Sequence, residues 1–158
     1  MQWNFRRDDL VKLSRHVAMI CDSDKTSPDD PLDPSKMRLK AECERVGGYC
    51  WVTDGREIEN YLPDTVLTKA FQVLLASPDL VIALPQWQKL STALRERIPN
   101  PMRGDGWKAD YDMNKARIMP ELLKHLTTND LSRFELSGRL EELVRRIKSA
   151  SPQADGRT

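Results

Sequence analysis

Neither sign of charge predominates in this chain. Its 158 residues carry 25 lysines and arginines against 24 aspartates and glutamates, a formal net charge of +1. That balance argues against a uniformly polybasic nucleic-acid binder and against an acidic tail, so any functional charge has to be local. Long apolar runs are missing too. No stretch approaches the roughly 18 to 20 residues needed to cross a bilayer, and the opening MQWNFRRDDL lacks the apolar segment of a signal peptide. The expectation is a cytoplasmic chain without a membrane partner. Cysteines are few and odd in number: Cys21, Cys43 and Cys50 have no CxxC spacing, and the two histidines, His16 and His125, lie far apart. This speaks against a disulfide framework and against a zinc ribbon or finger, and predicts buried free thiols.

What is present suits a folded domain. Hydrophobic residues make up 39% and charged residues 31%, too apolar for wholesale disorder. At roughly 150 residues per domain the length allows one core, with a small appendage at most. After a short charged helix, the apolar run VAMIC (17–21) predicts a strand halted by acids. Asp33-Pro34 reads as an N-cap with proline at the first helical position, and Gly47-Gly48 ends that helix. YCWVT (49–53) is a second strand, rich in aromatic and β-branched residues. Strand, helix and strand within about 35 residues make one βαβ unit with parallel strands.

From Asp64 the spacing turns helical, through Val66, Leu67, Ala70, Phe71, Leu74 and Leu75. Residues 80–84 read equally as a third strand or as the turn into the next helix. Residues 99–112 read as a long loop, and 114–126 as a helix kinked or broken at Pro120. Ser137 is expected to cap a last helix with Leu140, Leu143, Val144 and Ile147 on one face. Residues 151–158 have nothing to bury and read as a frayed tail. The fold class expected is therefore α/β: a small, mostly parallel sheet followed by a helical carboxyl-terminal half. Its parts are an α/β unit over 1–63, a helical region over 64–150, and a tail.

Two acidic clusters matter because of where the strands put them. Asp22-Ser23-Asp24 follows the first strand, and an extended chain there would turn both aspartates to one side. Glu57-Ile58-Glu59 follows the second. In a parallel unit both clusters occupy the sheet edge at which open α/β folds bind ligands. Carboxylates gathered so closely raise one another's pKa unless a cation neutralises them, and oxygen-only donors suit Mg2+ or Mn2+ over zinc. Such a site performs phosphoryl transfer or phosphodiester cleavage. The bland alternative is that the aspartates end a strand and Glu57 caps a helix.

The run VAMICDSD followed by GREIENYLP resembles the second half of a TOPRIM domain as found in OLD-family (overcoming lysogenization defect) ATP-dependent endonucleases and related defence nucleases. The similarity spans 17–63. Lys115 in YDMNK and the final Leu/Ile helix resemble that family's carboxyl-terminal region more weakly. The resemblance implies a metal-dependent DNA endonuclease with Asp22 and Asp24 as metal ligands and Glu59, with Glu57 close behind, completing the shell. It also implies Arg56 as a phosphate contact and Lys115 as a cation on the scissile phosphate; solvated surface charge is the competing reading of these two. TOPRIM domains begin with a strand that delivers a glutamate, whereas the sixteen residues before Val17 contain none, and no GxxxxGK[ST] is present. The expectation is thus an incomplete TOPRIM/Rossmann-like module that works with an ATPase domain or subunit outside this chain.

Two other readings compete. Asp22-Ser23-Asp24-Lys25-Thr26 also resembles the DxDx[TV] motif of haloacid-dehalogenase-like phosphatases, with Asp22 as nucleophile and Asp24 as general acid/base. Gly104-Asp105 with Asp110 mimics that family's later acidic motif, although no apolar strand precedes it. The third reading is a non-catalytic remnant that binds a partner ATPase or DNA through the last helix, whose Arg139, Arg145, Arg146 and Lys148 form a basic face.

Overall fold

The structure, a computed structural model, describes residues 17–98 and 111–150. Strand β1 (Ala18–Cys21) leads through an acidic loop into helix α1 (Pro34–Arg45), which returns the chain to β2 (Tyr49–Val52). The strands pair in parallel, Ala18 opposite Tyr49 and Cys21 opposite Val52, as a βαβ unit requires. The Asp33 carboxylate accepts the Ser35 N–H at 2.8 Å and so caps α1, with Pro34 at its first position. At the other end Gly47 takes φ +74°. Gly48 is needed for a different reason: a β-carbon there would lie 2.7 Å from Cys43 Sγ and 2.9 Å from the Val17 carbonyl. The turn presses that closely on β1.

A 3-10 helix (Ile58–Tyr61) follows β2, then α2 (Asp64–Leu75), α3 (Leu90–Arg97), α4 (Tyr111–His125), a 3-10 stretch (Thr128–Glu135) and α5 (Leu136–Ala150). Two apolar clusters hold these parts together. The larger joins Leu67, Ala70 and Phe71 of α2 to Leu90, Ala93 and Leu94 of α3 and to Ile118 and Leu122 of α4. Each large side chain so buried contributes roughly 1.5 to 3 kcal/mol. The smaller cluster packs Tyr49, Trp51 and Tyr61 against Leu136, with Phe134, Leu140 and Leu143 covering it. Tyr61 meets both Trp51 and Phe134 edge to face, at 5.4 and 5.3 Å between ring centroids.

Residues 80–84 form no strand, although Leu80, Ile82 and Leu84 are buried and Val81 between them is 65% exposed. The alternation is that of a strand, but the hydrogen bonds come from one stripe of α2. Gln72 Nε2 donates to the Leu80 carbonyl (2.9 Å), the Thr68 hydroxyl accepts from Ile82 N–H (3.0 Å), and Asp64 Oδ1 accepts from Leu84 N–H (3.0 Å). Side chains spaced four apart on a helix have replaced a neighbouring strand.

Other expectations need adjustment. Helix α4 starts at Tyr111, inside the expected loop, and runs through Pro120 without a break. Helix α5 begins at Leu136, so Ser137 lies within it and is not its cap. The expected amino-terminal helix, most of the 99–112 loop and the tail lie outside the described residues. Cys21, Cys43 and Cys50 are free thiols, Cys43 fully buried and the others half-buried. No helix among the described residues is long and apolar enough to cross a membrane.

Candidate functional site

The ends of β1 and β2 are stitched together by Ser23, the residue between the two aspartates. Its N–H donates to the Thr53 hydroxyl (2.8 Å) and its own hydroxyl donates to the Gly55 carbonyl (2.6 Å). Burial of this small polar side chain turns its neighbours outward. Asp22 is half-buried, and its Oδ1 accepts the Ile58 N–H at 2.8 Å, the first amide of the 3-10 helix. The first acid of one cluster therefore caps the second cluster. Asp24 departs from the extended path: its φ is 56°, its N–H donates to the Arg56 carbonyl at 2.9 Å, and its carboxylate is held by Lys36. The condition that would have turned Asp22 and Asp24 to the same side is not met.

Glu57 and Glu59 are both buried, at 5% and 3% exposure, while Ile58 between them is exposed. The element is a short 3-10 helix, in which residues two apart need not point to opposite sides. Glu57 occupies its N-cap position; the Glu57 N–H donates to Asn60 Oδ1 at 2.7 Å. The Glu57 carboxylate reaches onward to the Leu90 N–H (3.4 Å) and lies 3.7 Å from Lys89 Nζ, which sets a negative charge at the start of α3. Lys115, from α4, places its ammonium 2.8 Å from Glu59 Oε1. Arg56 is half-buried, its N–H donates to the Gln86 carbonyl (2.9 Å), and its Nε has no hydrogen-bond partner among the described residues.

Several of these charges influence one another. Burial raises the pKa of the Asp22 carboxyl above the ordinary value; the Ile58 N–H opposes this, and the Glu59 charge adds to it. Glu57 is raised in the same way, first by burial and next by Glu59, with Lys115 opposing. For Lys115 burial works against the charge, yet its hydrogen bond and ion pair with Glu59, with Glu57 and Asp22 nearby, hold its pKa above the usual lysine value. Asp22 and Glu57 thus each respond to the charges of Glu59 and Lys115.

Several contributors were not singled out in the sequence: Ser23, Lys36, Asn60 and Lys89. Asn60 is fully buried and spans the site, its Nδ2 donating to the carbonyls of Pro85 (2.8 Å) and Gln88 (3.0 Å). Asp105 and Asp110, invoked for the phosphatase motif, lie outside the described residues. The donor chemistry, carboxylates alone, fits a hard divalent cation. Among the described residues, however, no group of three or more His, Cys, Asp or Glu is gathered as a cage, and Asp24 and Glu59 are each paired with a lysine, Lys36 and Lys115. In comparisons with known proteins no family model matches the chain, and no curated protein or solved structure is significantly similar to it.

Proposed function

We propose that this chain is the metal-dependent DNA-cleaving part of an OLD-like, ATPase-linked nuclease, a TOPRIM-like module that acts with an ATPase domain or subunit. The observation that carries this reading is the convergence of Asp22 with Glu57, Glu59 and Lys115 where the two parallel strands end, together with the raised pKa of Asp22 and Glu57. Carboxyls held at a cost to their own ionisation draw in a cation. The described carboxylates form no ready-made cage, so Asp22, Glu57 and Glu59 would have to be drawn together to hold Mg2+ or Mn2+, with Asp24 as a further ligand. A bound ion would supply charge neutralisation at a phosphate oxygen and would lower the pKa of a bound water.

The remaining tasks belong to this chain's side chains. Arg56, next to the acid-bearing loop, would contact a phosphate of the DNA backbone through its guanidinium. Lys115 brings a positive charge to the edge of the acid group and stabilises the charge that builds on the scissile phosphate. The reaction is hydrolysis: water adds to phosphorus, one P–O ester bond breaks, and the departing oxygen takes up a proton. The test is nicking of supercoiled plasmid with Mg2+ or Mn2+ by the wild-type chain and by Asp22→Ala. Loss of metal-dependent nicking in the variant supports the reading, and equal nicking by both removes Asp22 from the mechanism.

A further inference from the structure

Among the described residues the sheet has two strands, so β1 has a neighbour on one side alone. The ladder shows which of its backbone groups are spare. The Tyr49 N–H donates to the Val17 carbonyl (2.8 Å) and the Thr53 N–H to the Cys21 carbonyl (3.0 Å). Alternate residues of a strand turn their backbone groups to opposite sides within the sheet, so Val17, Met19 and Cys21 face β2 while Ala18 and Ile20 face away from it. The N–H and C=O groups of Ala18 and Ile20 have no partner among the described residues. Further along this edge the Asp22 carbonyl is already taken by Lys36 Nζ (2.6 Å). The open edge is therefore short.

The side chains beside it are open as well. In the parallel register Ala18 shares a face with Tyr49, and Ile20 shares it with Trp51. Helix α5 and the 3-10 stretch before it cover Tyr49 and Trp51, yet Ala18 is exposed and Ile20 is 44% exposed, against 1% for Trp51. A groove of about 120 Å³ adjoins Ala18 where α5 ends, lined also by Val17, Ile147 and Ala150. The strand itself, Ala-Met-Ile-Cys, carries none of the charges or prolines that guard an edge against pairing.

We propose that β1 pairs edge to edge, antiparallel, with β1 of a second copy of this chain, the twofold axis passing at Met19. Pairing about Met19 sets Ala18 of each copy opposite Ile20 of the other. Opposed residues of this kind exchange both their N–H to C=O bonds, so the spare groups of Ala18 and Ile20 on both edges are all satisfied. The small Ala18 then meets the larger Ile20 across the seam, beside the groove at the end of α5. Charge selects the orientation. Arg15 and His16 precede the run VAMIC and Asp22 follows it, so antiparallel pairing brings the basic end of each strand to the acidic end of the other, and parallel pairing would bring like to like. The inference stands whether or not a cation binds. Two short strands bury less than the roughly 1,200 to 2,000 Å² of a stable interface, so the dimer is weak, with a dissociation constant on the order of 0.1 mM.

The experiment combines sedimentation velocity of the full chain with residue-resolved amide exchange, at concentrations from roughly tenfold below to tenfold above that constant. Two variants are compared with wild type. Ala18→Pro removes a spare N–H and no bond to β2, and Ile20→Lys puts a charge into the seam. Protected Met19 and Cys21 amides, which face β2, show that the sheet is intact in each; if Ala18→Pro loses the sheet, Ile20→Lys decides. Support is a dimer in which the Ala18 and Ile20 amides exchange roughly fourfold more slowly at the top of the range than at the bottom, and which each intact variant weakens by about tenfold or more. A wild-type chain that stays monomeric throughout overturns the proposal. Dimers that leave these two amides exchanging freely, or that an intact variant does not weaken, overturn it as well. Protection of both amides in the monomer also overturns it, since the edge would then be filled from within the chain.

Discussion

Replacing Lys115 by methionine removes the ammonium that lies 2.8 Å from the Glu59 carboxylate, which is only 3% exposed. Breaking a fully buried pair from one side costs roughly 3 to 5 kcal/mol, and an exposed pair is worth about 0 to 1 kcal/mol. Glu59 is buried but Lys115 is 41% exposed, so water screens one partner only, and the expected loss is about 1 to 3 kcal/mol. In a chain of this length that lowers Tm by roughly 3 to 10 °C. The dependence on pH follows from the raised pKa of Lys115. A base whose pKa is higher in the folded state contributes stability that is fully present below its unfolded value, about 10.4, and is lost as pH rises through the folded value. The gap between wild type and Lys115→Met should therefore be constant from neutral pH to about 10 and close above it. Calorimetric melts across that range measure it. Adding Glu59→Gln to Lys115→Met should recover part of the loss, since a neutral amide needs no cation. Equal stability of Lys115→Met and wild type at neutral pH, or no recovery in the double variant, refutes the reasoning.

Asp22→Asn retains the acceptor for the Ile58 N–H and removes a charge that burial and Glu59 both oppose. An acid with a raised folded pKa contributes stability below the ordinary carboxylate range and loses it as pH rises through the folded value, so this variant should melt above wild type at pH 7.5 and level with it near pH 3. Tyr61→Phe removes a hydroxyl that accepts from Trp51 Nε1 (3.2 Å) and from the Asp54 N–H (2.9 Å) and donates to the Asp54 carboxylate. Its cost, measured by urea denaturation, should be about 1 to 3 kcal/mol. Gly48→Ala drives a β-carbon against Cys43 Sγ and the Val17 carbonyl and should cost about 1 to 3 kcal/mol in the same assay. A neutral result would mean that the α1–β2 turn relaxes freely.

The βαβ unit was legible because each of its signals is local. An apolar run ended by acids, Asp33-Pro34 and the paired glycines each act within a few residues, and all appear where expected within about one residue. Residues 80–84 were ambiguous for a physical reason. Alternating burial marks an extended chain against a core, and nothing in that pattern tells whether the hydrogen bonds come from a strand or from Asp64, Thr68 and Gln72 of a helix. The α4 boundary was missed because Tyr111 and Asp112 adjoin a run of prolines and glycines and carry no apolar period of their own. Within the site, Asp22, Glu57 and Glu59 follow from strand order. The setting of Asp24 does not, because it depends on Lys36 reaching back from α1, a contact across 12 residues that no spacing rule encodes. Lys115 stood out only through resemblance, and it meets Glu59 from more than fifty residues away.

The proposed function requires a divalent cation where β1 and β2 end. Fe2+, which replaces Mg2+ at carboxylate sites and with ascorbate and peroxide generates radicals that cut nearby backbone, locates such a cation directly. Fragments cut around Asp22 and around Glu57 to Glu59 are expected, suppressed by excess Mg2+ and absent in an Asp22→Ala, Glu59→Ala double variant. Cleavage confined to other segments, or none that Mg2+ suppresses, would contradict it.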